Sequence, residues 1–349
     1  MRISRKNLEG FVEKLFIKAG VDLSESSIIA RILVWTDLIG RYTHGVKRVP
    51  ILLKRFRKGL IKSPCNKQFE QKSSAVYSID GKGGFGLFLG HIAMKKAIDV
   101  AEKQGVGLVT VRDSNFYGAG AYYVNLAAAQ LKIGIALSNA FPKVVAHRGI
   151  KAVFGTNPIS FSAPLQNKRA VLVDFSTSIL AGATIREYAQ ENKKLPEGIA
   201  IDTDGFPIIN PRKVDSGALL PFGEAKGYGL ALIVEILAGV LTGAGISHEI
   251  ASMFHDFENK GNIGHFFLTI DIKKFLSMDF YYKRMNQLVD IIKSSGNNSK
   301  FAEILIPGEK RWQFCDDQSK NGIQLDAQSI SSLEKLAADF SVDIPWKAR

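Results

Sequence analysis

The chain has 349 residues, 46% apolar and 23% charged, a balance that excludes a disordered chain and allows one large or two interlocked domains. Its net charge is +13, yet the lysines and arginines are scattered, without a reading helix or an aromatic-studded RNA motif. That argues against specific nucleic-acid binding and for anionic metabolites or phosphorylated cofactors as partners.

The first sixteen residues, MRISRKNLEGFVEKLF, space charges through apolar positions and read as an amphipathic helix, not a signal peptide. Asp22 or Ser24 can cap a helix from about Glu25 to Ile39 that Gly40 ends. A further helix begins near His44 or Pro50 and stops at Gly59. From residue 75 the pattern changes to strands alternating with helices, the signature of an α/β domain. Strands are expected at 75–80, 107–112, 133–138, 152–154, 159–161, 171–174 and 265–271, and helices at 87–103, 119–130, 226–241, 280–295 and 329–340. The apolar window from Tyr228 to Gly245 carries Glu235 and four glycines, so it reads as a buried core helix and not a membrane span. Residues 1–74, joined by a C-terminal segment 300–349, form a predicted helical subdomain, and 75–299 the α/β domain that binds cofactor and substrate. Cys65 and Cys315 match neither a disulfide framework nor a metal spacing; no metal is expected, and the cytoplasm is the expected compartment.

Two motifs carry chemistry. Gly81-Lys82-Gly83-Gly84-Phe85-Gly86 satisfies the dinucleotide-binding glycine pattern between a strand and a helix, with Asp113 closing the next strand. Against it, strand 75–80 alternates polar and apolar residues, and Asp80 would oppose a pyrophosphate. The other reading is a glycine turn that lets a helix pack close to a sheet. The second motif, Tyr42 to Pro50, places His44 and Arg48 four residues apart. An imidazole exchanges a proton near neutral pH, and a guanidinium clamps a carboxylate through two parallel hydrogen bonds. Together they suit the interconversion of a 2-hydroxy acid and a 2-oxo acid. His147, beside Arg148 in a predicted loop, is a further candidate for binding substrate; His91, His248, His255 and His265 read as structural.

The segments THGVKR, DGKGGFG, VRDSNFYGAGAYY, FGTNPISFSAP, VDFSTS, LPEGIAIDTDG, KGYGLALIVEILAGVLTGAG and IPGEKR occur in this order along the chain. In that order they resemble the type-2 malate/L-lactate dehydrogenase family, which includes ureidoglycolate and sulfolactate dehydrogenases and diketogulonate reductase-like enzymes. The resemblance implies a non-Rossmann α/β fold with a mixed sheet and a helical second part, a homodimer, and NAD or NADP as cofactor. It implies His44 as acid/base, Arg48 as the carboxylate-binding residue and Asn157 in a turn lining the cleft. Asp174, Ser176 and Thr177, then Lys226 and Gly227, then Pro307, Gly308 and Glu309 match three cofactor-contacting segments. Two departures stand out: Phe116 occupies the place of a family histidine, and Ala225 precedes Lys226 where histidine is usual. They motivate a second reading, a catalytically silent member that binds a nucleotide or another anionic partner. A Rossmann dehydrogenase using Gly81–Gly86 is a third.

Overall fold

A computed structural model of the chain describes residues 1–166, 168–296 and 303–346. Its largest sheet has seven strands, numbered here β1 (Glu70–Gln71), β2 (Val76–Asp80), β3 (Val106–Ser114), β4 (Lys132–Ser138), β5 (Ile159–Leu165), β6 (Lys168–Phe175) and β7 (Ile263–Asp271). They lie in the order β1-β2-β3-β7-β4-β5-β6. Only β2 and β3 run parallel; every other neighbouring pair is antiparallel. The sheet is therefore mixed and is not the doubly wound parallel sheet that a glycine fingerprint requires. The central strand, β7, is buried along most of its length, as a strand covered on both faces must be.

Helices α4 (Gly86–Gln104) and α5 (Gly120–Ala128) cover one face of the sheet. On that side the core is continuous with the N-terminal helices α1 (Arg5–Lys18), α2 (Leu23–Leu38) and α3 (Val49–Arg57). Beyond α8 (Met278–Ser294), the C-terminal helices α9 (Glu309–Asn321) and α10 (Ala327–Phe340) pack back on α2 and on α1 and α3 respectively. Leu15, Leu33, Phe85, Val109, Phe267 and Leu333 thus belong to one apolar body. The helix α2 starts where the sequence suggests, with Asp22 accepting from the amides of Ser24 and Glu25. It ends at Gly40, whose φ of 75° a residue with a side chain rarely adopts.

Two helices absent from the sequence reading matter for the site: α6 (Gly182–Gln190) and α9. The first belongs to a small lobe built on four short strands, in the order 200–201, 218–219, 144–145 and 152–154, with its own core of Val144, Phe154, Ile185, Ile199 and Leu219. The expected helix 226–241 is in fact α7 (Ala225–Val234) followed by a π-helical turn, Glu235–Val240. It is not buried all round. Val234 and Ala238 face the sheet, whereas Ile233, Ile236, Val240 and Leu241 are 49%, 46%, 61% and 58% exposed. No helix among the described residues is long and apolar enough to cross a membrane.

Candidate active site

The C-terminal end of α2 sets the geometry. After Gly40 the chain makes two short 3-10 turns, Tyr42–His44 and Val46–Arg48, before α3 begins. The fully buried carboxyl of Asp37 pins these turns by accepting from the amide of Val46 at 2.9 Å. A Cβ on Gly45 would stand 1.8 Å from Asp37 Oδ1, so only glycine lets the turn close over this carboxyl. Burial raises the Asp37 pKa well above the carboxylate range, which favours a neutral acid.

This turn presents His44 and Arg48 to one cavity of about 750 Å³, within the size range of small-molecule and cofactor sites. The wall also carries Arg41, Lys143, Arg186 and Arg311 against a single acid among the described residues, Asp174. The hydroxyl of Thr43 lies 2.9 Å from His44 Nδ1, and Nε2 has no hydrogen-bond partner among the described residues. Burial, and then the neighbouring charges of Arg48, Arg41 and Arg186, push the His44 pKa well below its ordinary 6.5. The ring is therefore neutral at physiological pH and available as a base.

Arg48 is only 8% exposed, and its Nε has no hydrogen-bond partner among the described residues. Burial first, then Arg186, lower its pKa from 12.5 to about 9. A buried cation left without a carboxylate is costly, and an anionic ligand removes that cost. Phe116 stacks on His44 with ring centroids 6.0 Å apart, and the Arg48 guanidinium carbon lies 5.9 Å from the same ring. In place of a proton carrier it supplies an apolar backing that holds both side chains.

Asp174 closes the far end of β6. Its carboxylate accepts from Ser160 Oγ at 2.8 Å and from Arg41 Nη2 at 3.2 Å, and its carbonyl accepts from Arg41 at 2.8 Å and from Arg311 at 3.2 Å. Asp174 thus gathers two arginines, and the buried Nε of Arg41 has no partner among the described residues. Ser176 and Ser178 line the cavity beyond it, as does the N-terminus of α6, which has no side-chain cap and so offers backbone N–H groups to an anion. An unpartnered arginine nitrogen, hydroxyls and an open helix terminus in a cavity of this size fit a nicotinamide dinucleotide.

The other expected residues lie off the cavity wall. Asn157, flanked by lining residues Thr156 and Pro158, turns inward and donates to Glu235 at 2.7 Å and to the carbonyl of Ala231 at 3.1 Å. The physical reason is the buried Glu235 carboxylate, which needs donors and also takes the amide of Ser247. His147 sits in a turn after strand 144–145, where the amide of Gly149 closes on the carbonyl of Ala146. Thr177 is buried and donates to the carbonyl of Thr156, and Gly227 packs against the carbonyls of Phe222 and Thr177, where a Cβ would not fit. Lys226 is exposed in the first turn of α7. Pro307 accepts from the amide of Leu172, Gly308 has φ 102° beside Leu172, and the Glu309 carboxylate caps the amide of Ile306 and pairs with Lys293. Together these three start α9 and so aim Arg311 at the cavity.

None of residues 81–86 lines the cavity either. A Cβ on Gly86 would stand 2.0 Å from the carbonyl oxygen of Asn115, and one on Gly84 2.8 Å from Cys65 Sγ. These glycines serve the close approach of α4 to the sheet, the packing alternative. No group of histidine, cysteine and acidic side chains suited to a metal occurs among the described residues.

A family model described as malate/L-lactate dehydrogenase matches residues 3–334. The chain belongs to that family. It is 33% identical to the malate/(S)-sulfolactate dehydrogenase of Methanothermus fervidus, over 99% of this chain and 100% of the relative. It is 28% identical to the ureidoglycolate dehydrogenase (NAD(+)) of Escherichia coli over 88% of each. The crystal structure of malate dehydrogenase from Entamoeba histolytica superposes with a TM-score of 0.95 at 28% identity, covering 99% of both chains. As a member of this family the chain is an NAD- or NADP-dependent oxidoreductase interconverting 2-hydroxy and 2-oxo acids. The mixed sheet and the packed glycines 81–86 rule out the Rossmann reading.

Proposed function

We propose that His44 is the acid/base and Arg48 the carboxylate clamp of this dehydrogenase. The carrying observation is their placement on one cavity wall, where among the described residues Nε2 of His44 has no hydrogen-bond partner and Arg48 no ion-pair partner. When bound, the nicotinamide supplies or accepts the hydride. Arg48 holds the acid end of the substrate and so fixes the neighbouring carbon against that cofactor. In the oxidative direction neutral His44 takes the hydroxyl proton at Nε2, and in the reductive direction it returns that proton to the carbonyl oxygen. Substrate charge assists this reversal: a carboxylate on Arg48 offsets one of the cations that depress the His44 pKa. Phe116 and Phe254 keep water from the two working side chains. Arg41, Arg311, Ser176 and the α6 terminus would hold the dinucleotide, with Asp174 keeping the two arginines in place. Following NADH by its absorbance across a panel of 2-oxo acids tests this assignment; absence of turnover with every acid would refute it.

We infer further that the enzyme is a homodimer of the cytoplasm. The exposed apolar strip Ile233, Ile236, Val240 and Leu241 supports the assembly, because such a face is covered in a stable protein. Light scattering should give twice the chain mass, and Ile236→Glu should shift it toward one. A wild-type chain of single mass would overturn the assembly.

A further inference from the structure

Arg48 stands at the N-terminus of α3, and Arg55 follows it about two helical turns along the same side. Arg55 is the largest fully buried side chain among the described residues. Its guanidinium donates to main-chain carbonyls, Nη1 to Asp256 at 2.5 Å and to Ser252 at 3.5 Å, and Nη2 to Asn259 at 2.9 Å. Beside it on α3, the ammonium groups of Lys54 and Lys58 lie 3.9 Å and 5.6 Å from the centre of the Phe257 ring. One helix thus presents the carboxylate clamp at its start and grips a distant segment, 252–259, further along.

That segment has little else to hold it. Residues 251–262 contain neither helix nor strand, and a connection of that length without structure of its own is usually functional. Within it, the Ser252 hydroxyl accepts from the amides of Phe254 and His255 at 3.3 Å each, and the Asp256 carboxylate from those of Glu258 and Asn259. Every hydrogen bond that ties residues 252–259 to the rest of the described residues comes from Arg55. The segment carries Phe254, whose ring centre lies 4.9 Å from the Arg48 guanidinium carbon on the wall of the main cavity. One buried cation fixes the cover of another.

We infer that Arg55 is a positioning residue for the reaction, seating residues 252–259 so that Phe254 covers the guanidinium of Arg48. The inference rests on the reading of Arg48 as the carboxylate clamp. A guanidinium shielded by an aromatic ring holds a carboxylate more strongly than a hydrated one, because charge attraction grows as the local dielectric falls. Without Arg55, three carbonyls lose their donor, the segment lifts to reach water, and Phe254 leaves with it. Arg48 then keeps its charge but meets solvent, and the acid binds more weakly. Proton exchange at His44 continues, because Phe116 still backs that ring. A loop anchor of purely structural value would instead change stability and leave substrate affinity alone.

The test is a double-mutant cycle on the full-length enzyme, with NADH and either oxaloacetate or pyruvate, whichever wild type reduces faster. Arg55→Met keeps the bulk of the stem and removes the donors; it should raise KM for the acid about tenfold, the worth of one such contact. Turnover at saturation and NADH affinity should stay within about threefold. Arg55→Lys should restore part of the loss, since an ammonium on a long stem still offers donors. Phe254→Ala should raise KM by a similar factor, and adding Arg55→Met to it should change KM by less than about twofold. A wild-type KM in Arg55→Met, or a full further tenfold in the Phe254→Ala background, would overturn the inference. Should Arg55→Met fail to fold, as judged by lost NADH binding, Arg55→Lys carries the same cycle, with about threefold expected alone and none on top of Phe254→Ala. An Arg48→Lys variant of normal KM beside a raised KM in Arg55→Met would sink the clamp and leave the seat. A raised KM in Arg48→Lys beside a normal one in Arg55→Met would sink the seat and leave the clamp.

Discussion

The turn 41–48 and the loop 81–86 resemble each other in sequence: each follows a regular element, each carries a glycine that cannot be replaced, and each matches a chemical motif. They differ in what their glycines approach. Gly45 lies against the Asp37 carboxyl and frees the turn to present His44 and Arg48 outward to a cavity. Gly84 and Gly86 lie against Cys65 and the Asn115 carbonyl, and the loop presents nothing to that cavity. A glycine pattern records a close approach; only the partner of that approach distinguishes a site from packing.

The strongest way to break this contrast is to remove the base. His44→Ala should lower turnover by about 10²–10⁴ with NADH affinity retained, as loss of a general acid/base does. Full turnover in that variant would return the active centre to another part of the molecule. The pH profile sharpens the same point. Because the His44 pKa is depressed, the base form persists as pH falls through 6.5, so kcat/KM for hydroxy-acid oxidation should begin to fall only well below that value. A break at 6.5 would assign the proton to a histidine of ordinary environment. Next in size, Arg48→Lys should raise KM for a 2-oxo acid about 10- to 100-fold, because an ammonium lacks the planar fork and its bidentate contacts. An unaltered KM would leave the turn with no clamp.

Much of the fold was legible because its signals are local. The Asp22 cap, the Gly40 stop, the period-two strands and the apolar run of β7 each depend on a few adjacent residues. His44 and Arg48 were legible for the same reason. Arg41, Arg186 and Arg311 were not, although Arg311 ends the quoted segment IPGEKR and Arg41 immediately precedes the Tyr42–Pro50 motif. Their significance comes from convergence on Asp174 and Phe254 across distant parts of the chain. Arg186 and Arg311 also sit on α6 and α9, helices the pattern reading passed over. In the other direction, Asn157 sits in a turn whose neighbours line the cavity, yet its amide is needed by Glu235, 78 residues later. Nothing local to FGTNPIS reveals that partner.

The smallest expected effect is also the cleanest discriminator between the two glycine segments. Gly83 has φ 78°, and a Cβ there would meet only the Lys260 and Lys62 side chains at 3.6 Å or more. Gly83→Ala therefore introduces backbone strain without a steric block, at a cost of about 1–2 kcal/mol for a left-handed residue. Thermal unfolding should register that cost, while NADH affinity by fluorescence titration should stay within about twofold. If the loop cradled a diphosphate, the same methyl would intrude on the closest backbone–phosphate approach and affinity would fall far more than stability. A loss of binding larger than the loss of stability would thus move the dinucleotide to residues 81–86 and strip the Asp174 cluster of its role.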